Sequence, residues 1–239
     1  MERIAGPDNR RKGVGVLSQV IEAKDGEIYD IELAEDLLKA NAKLAMKNEK
    51  LLKRYGVKAI DVMGSVGTGK TSLIEQLVNQ LKEKYRIAAF AGDLTTTIDA
   101  DLIARHGAKV IQINTGKECH LDANLVGKAL AMLDLNQVDL LFIENVGNLI
   151  CPAEFPLGSD KRLVVISLTD GPHMVVKHPF IFMKADVVVI NKMDLADALG
   201  ADADKLERDL NKMNPQVKVV KASCRNGTGI VDVIKALEL

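Results

Sequence analysis

The chain has 239 residues, 47% of them apolar and 27% charged, with a formal net charge of -1 and a pI near 6.4. That content suits one large α/β domain or two small ones, and the near-neutral balance argues against a general binder of nucleic acid or membrane surfaces. No apolar run reaches the about 18 residues of a membrane span and the first residues lack a signal-peptide core, so a cytoplasmic location is expected.

Residues 1–36 read as an N-terminal extension, partly flexible, ahead of a domain at 37–239. Asp8 to Gly13 is polar, Val14 to Ile21 is a short apolar run, and Asp25-Gly26 is a turn signal. Leu33 to Tyr55 predicts a long helix. Leu37, Leu44 and Leu51 recur at heptad spacing with Leu38, Ala45 and Leu52 beside them, an apolar stripe on a charged helix. That stripe packs either on the chain's own core or on a partner. Gly56 is a suitable helix stop. Beyond Val57 the pattern alternates strand and helix. Candidate strands are 59–63, 86–91, 108–113, 139–144, 163–168, 186–190 and 217–221. Runs such as Val187-Val188-Val189-Ile190 are aliphatic throughout, as in strands covered on both faces. The expected fold is a doubly wound, mostly parallel α/β sheet with ligands at the carboxyl ends of its strands.

The strand at 59–63 runs into Gly64-Ser65-Val66-Gly67-Thr68-Gly69-Lys70-Thr71, which fits the phosphate-binding loop G-x-x-x-x-G-K-[ST]. Its glycines let successive backbone N–H groups converge on phosphate, and a helix N-terminus follows through Ser72. Lys70 supplies a positive charge and Thr71 a hydroxyl for Mg²⁺. Asp93 and Asp99, after the next strand, are candidates for Mg²⁺ or for positioning water, with helix capping as the competing role. Glu144 ends an apolar strand where such proteins place a Mg²⁺-facing acid, and Gly147 sits where an N–H would meet the γ-phosphate. Asn191-Lys192-Met193-Asp194 fits the guanine-reading pattern N-K-x-D. A carboxylate such as Asp194 accepts from two donors of guanine that adenine lacks. Asn191 would take the other base edge and the Lys192 stem the ring. Ser223 and Cys224 stand where a second base-contacting loop is expected, although Cys224-Arg225 departs from the usual Ser-Ala-Lys. No arginine lies in the phosphate loop or around Gly147, so slow intrinsic GTP turnover is expected.

Three cysteines cannot all pair, and in a reducing compartment they point to metal or to packing. Cys119-His120 and Cys151 combine thiolate and imidazole, which suit Zn²⁺ and also Ni²⁺. Three ligands leave a tetrahedron incomplete, and a second copy of the chain could complete it. Buried packing of these cysteines is the alternative.

Gly64 to Thr71, Asn114 to Ala123, Glu144 to Pro152 and Asn191 to Asp194 together resemble the HypB family, over about residues 37–239. The run Glu144-Asn145-Val146-Gly147-Asn148-Leu149-Ile150-Cys151-Pro152 is the most specific part. The resemblance implies a P-loop GTPase of the signal-recognition, MinD and BioD class that assists nickel insertion into [NiFe]-hydrogenase. It further implies GTP-dependent homodimerisation, a Zn²⁺ or Ni²⁺ site at the dimer interface from Cys119, His120 and Cys151, and as partners a HypA-type metallochaperone and the hydrogenase large subunit. Residues 1–36 hold no Cys or His, so they lack the N-terminal nickel-storing motifs of some members. A nickel GTPase of the urease type, a P-loop kinase and a passive metal carrier are the competing readings. The Asn191-Lys192-x-Asp194 motif disfavours the kinase.

Overall fold

The computed structural model describes residues 31–93, 98–116 and 118–239, with helix side chains from Glu35 onward. The Val14–Ile21 run, the Asp25-Gly26 turn, Thr95 to Thr97 and Lys117 lie outside the described residues. A long helix, α1 (Ile31–Tyr55), precedes β1 (Lys58–Met63), α2 (Lys70–Leu81), β2 (Ile87–Asp93), α3 (Ile98–Ala104), β3 (Lys109–Asn114), α4 (Ala123–Leu130) and β4 (Leu140–Glu144). Then come α5 (Cys151–Glu154), β5 (Lys161–Ser167), α6 (Met174–Lys177), α7 (Pro179–Met183), β6 (Val187–Asn191), α8 (Ala196–Leu199), α9 (Ala203–Met213), β7 (Lys218–Lys221) and α10 (Ile230–Leu237).

The seven strands form one sheet in the order β3-β2-β4-β1-β5-β6-β7, and every ladder is parallel. Because side chains alternate along each strand, Ile60 and Val62 of β1 pack on one face with α2, α3 and α10. Ala59 packs on the other with α1 and α4, while Met63 joins α5, α6, α7 and α9 on the far half of that face. The chain leaves β1 toward β2 on one side and β4 toward β5 on the other, so β1 and β4 flank the switch point where a crevice opens. β2 runs two residues further than expected, since Gly92 and Asp93 still pair with Ile113 and Asn114 of β3.

The stripe on α1 is borne out at Ala45, Leu51 and Leu52 but not at Leu37. Its buried face runs Asn41, Ala45, Asn48 and Leu52, whereas Leu37 is 58% exposed. A straight helix repeats every 3.6 residues, so the three-four spacing that follows α4 and β1 passes beside the heptad leucines. The face packs on this chain's own core. The boundary expected at 36/37 falls within α1.

Candidate nucleotide and metal site

The switch-point crevice is a cavity of about 850 Å³. The P-loop forms one wall. Its Gly69 adopts φ 97°, and a Cβ there would sit 2.3 Å from Asn191 Nδ2, so only glycine fits between loop and sheet. Lys70 opens α2, is 7% exposed and donates from Nζ to the Ser65 carbonyl at 3.1 Å. Burial pulls its pKa down against the opposing pull of Glu144, Asp99 and Asp93. Thr68 is fully buried, and its hydroxyl also donates to the Ser65 carbonyl at 3.0 Å.

The Thr71 hydroxyl lies 2.7 Å from Glu144 Oε1 and 3.1 Å from Asp99 Oδ1. One proton cannot serve both acceptors at once. Glu144 is 3% exposed, and its Oε2 has no hydrogen-bond partner among the described residues. Burial raises its pKa to about 7, opposed by Thr71 and Lys70. An orphaned carboxylate oxygen beside a hydroxyl and Asp99, with Asp93 lining the same wall, is a donor set that fits a hydrated Mg²⁺ ion.

At the opposite end Lys192, Asp194, Leu195, Cys224 and Arg225 line the cavity. Asp194 Oδ1 accepts from Ser223 Oγ at 2.5 Å, so Ser223 orients the carboxylate. Asn191 was expected on the base edge. It lines the cavity at 2% exposure, where its Nδ2 donates to the Thr68 carbonyl at 2.9 Å and its Oδ1 accepts from the Cys224 N–H at 3.1 Å. It ties the P-loop to the second base loop. Cys224 is buried, and burial lifts its thiol to about 11, which keeps it protonated and out of metal chemistry.

Cys119, His120 and Cys151 come together. Their ligand atoms lie within 4.8 Å of one another, with the two sulfurs 3.0 Å apart. The His120 ring stacks on Phe155 with centroids 3.9 Å apart, and burial lowers its pKa, favouring the neutral imidazole that ligates metals. Cys151 opens α5, with Pro152 in its first turn. The loops that carry Cys119 and Cys151 touch the P-loop directly. Asn148 pairs with Gly64 of the P-loop, and its Nδ2 donates to the Cys119 carbonyl at 3.3 Å. Fully buried Asn145, next to Glu144, accepts from the Leu121 N–H at 3.0 Å and the Val146 N–H at 3.1 Å.

The sequence of residues 58–221 matches the model of the CobW/HypB/UreG nucleotide-binding domain. The "Probable hydrogenase maturation factor HypB" of Methanocaldococcus jannaschii is 55% identical over 208 residues, covering 87% of this chain and 94% of that one. The chain belongs to the HypB family. Among solved structures, HypB from Archaeoglobus fulgidus superposes with a TM-score of 0.78 at 42% identity, covering 84% of this chain and 98% of that one. HypB from Helicobacter pylori in complex with nickel gives 0.79 at 32%, covering 83% and 94%.

Within this HypB chain, the structure gathers the expected residues around the crevice and in the Cys119-His120-Cys151 cluster, while the roles of two amides, buried Asn145 and half-buried Asn148, went unread in the sequence. Asn145 and Asn148 stood inside a quoted motif, yet their neighbours Glu144, Gly147 and Cys151 took the chemical roles. Their signal was available, since an amide amid an apolar run demands partners. Among the described residues no helix is long and apolar enough to cross a membrane.

Proposed function

We propose that the chain binds GTP with Mg²⁺, hydrolyses it slowly, and uses the nucleotide state to control a shared Zn²⁺/Ni²⁺ site from which nickel passes to a [NiFe]-hydrogenase in the cytoplasm. In this reading Gly64 to Ser72 cradle the phosphates and Gly147 senses the γ-phosphate. Asp194, held by Ser223, reads guanine. Thr71, Glu144, Asp93 and Asp99 hold Mg²⁺, which would neutralise charge developing on the phosphates. Cys119, His120 and Cys151 hold the cargo metal, and in the GTP state two copies meet and complete its shell. A HypA-type metallochaperone and the hydrogenase large subunit are the proposed partners.

The observation that carries the reading is the bridge from Gly64 to Asn148 and on to Cys119. Cys151 follows Gly147 by four residues, about 14 Å even when fully extended. Movement of the Gly147 loop therefore has little slack before it reaches the sulfurs. If GTP strengthens metal binding, metal strengthens GTP-driven dimerisation by the same factor.

The test is competitive Zn²⁺ and Ni²⁺ titration, with oligomeric state, for wild type and Cys151→Ala, each with GDP and with a non-hydrolysable GTP analogue. Wild type should bind metal more tightly as the GTP-state dimer. Cys151→Ala should lose metal affinity and keep GDP affinity. Identical metal affinity and oligomeric state with both nucleotides would overturn the coupling.

A further inference from the structure

We infer that α1 braces the metal centre, with Asn41 and Asn48 as positioning residues that set the distance between the Cys119-His120 loop and the Cys151 loop. The inference rests on reading those three residues as a metal site. Helix α1 lies outside the matched domain and contributes no ligand. Yet Asn41 and Asn48, on its buried face, are only 5% and 6% exposed. Burying an amide costs free energy unless it is bonded, and an apolar pair would fill the space without that demand.

The bonds go to two places. Asn41 Oδ1 accepts from the Ala123 N–H at 2.8 Å and its Nδ2 donates to the Pro156 carbonyl at 2.9 Å. Asn48 Nδ2 donates to the Ala123 carbonyl at 2.8 Å and to the Leu157 carbonyl at 3.1 Å. Ala123 opens α4, three residues past His120, and Pro156 follows Phe155, the ring that stacks on His120. Each asparagine thus cross-links the segment behind Cys119-His120 to the segment behind Cys151. Close approach is built in. Gly158 adopts φ 94°, and a Cβ there would lie 2.4 Å from the Ala45 carbonyl oxygen of α1. One added at Gly127 of α4 would meet Asn48 Oδ1 at 3.0 Å. The helix holds both loops through their backbones, so it controls ligand spacing without touching metal.

The experiment uses the full chain with Co²⁺ as spectroscopic probe and Zn²⁺ in competition, comparing wild type, Asn48→Ala and the milder Asn41→Ser. GDP affinity and melting temperature are read in parallel. Both variants should bind metal on the order of 10-fold more weakly, as when outer-shell partners of metal ligands are removed. Their thiolate-to-cobalt bands should shift, while GDP affinity stays near wild type. A lower melting temperature with unchanged bands and metal affinity would overturn the brace. If Asn48→Ala does not fold, Asn41→Ser alone decides by the same bands and affinity. Wild type binding Co²⁺ no more tightly than Cys151→Ala would instead overturn the metal-site reading itself.

Discussion

Asp61 offers the sharpest quantitative test of the buried polar network under the site. It lies in β1 on the face of Ala59 and Met63, between the two halves of that face's core, is 0% exposed, and its Oδ2 has no hydrogen-bond partner among the described residues. Asn145 Nδ2 donates to its Oδ1 at a long 3.3 Å, and Arg162 stands opposite in β5. Burial outweighs both and raises its pKa from 3.8 to about 6. The folded state therefore holds this proton more tightly than the unfolded chain. The group's contribution to stability is fully present below 3.8 and declines until the pH passes about 6. At about 1.4 kcal/mol per pKa unit, the total loss is about 3 kcal/mol, of which about half falls between roughly pH 5 and pH 7.5. The near-isosteric Asp61→Asn removes the titration. Urea unfolding of both proteins without nucleotide, across that interval, isolates the effect. The stability of Asp61→Asn relative to wild type should climb by about 1.4 kcal/mol as pH rises, worth roughly 3–6 °C in melting temperature for a chain of this size. Curves that stay parallel from about pH 5 to pH 7.5 would refute the claim that Asp61 is buried without an adequate partner.

Asp194→Asn should shift preference from guanosine to xanthosine nucleotides, read by competitive binding. Wild type should reject ATP by about 10⁴, and equal affinity for ATP and GTP would sink the guanine assignment. Lys70→Ala should remove most phosphate binding and turnover, measured by phosphate release. Wild type alone should turn over at about 10⁻⁴ to 10⁻³ s⁻¹, and a rate above roughly 10 s⁻¹ would contradict an unassisted site without an arginine finger.

The alternation of aliphatic runs and helical patterns made the parallel sheet legible, because strands covered on both faces leave no polar positions to confuse the period. Strand ends moved by a residue or two where pairing with a neighbour, as at Gly92 and Asp93, continued past the apolar run. The loops at the carboxyl ends were legible as motifs, and the structure brings their residues together around one crevice and in one Cys-His-Cys cluster. Helix α1 was read less well. Ala45 and Leu52 of the expected stripe are buried, but the packed line also carries Asn41 and Asn48, which no hydrophobic count would mark as buried. Asn191 shows the same limit from the other side. A motif names the residue type, but only the structure shows that its amide serves Thr68 and Cys224.

That placement changes how damage at Asn191 would present. The carboxamide is a tie-rod between the loop for phosphate and the loop for base, and the P-loop glycine beside it leaves no room for a replacement to shift. Loosening it disturbs both ends of the nucleotide at once. An Asn191 variant should therefore weaken every purine triphosphate by a similar factor and leave the ratio between them nearly unchanged, the profile of a sprung frame rather than of a misread letter.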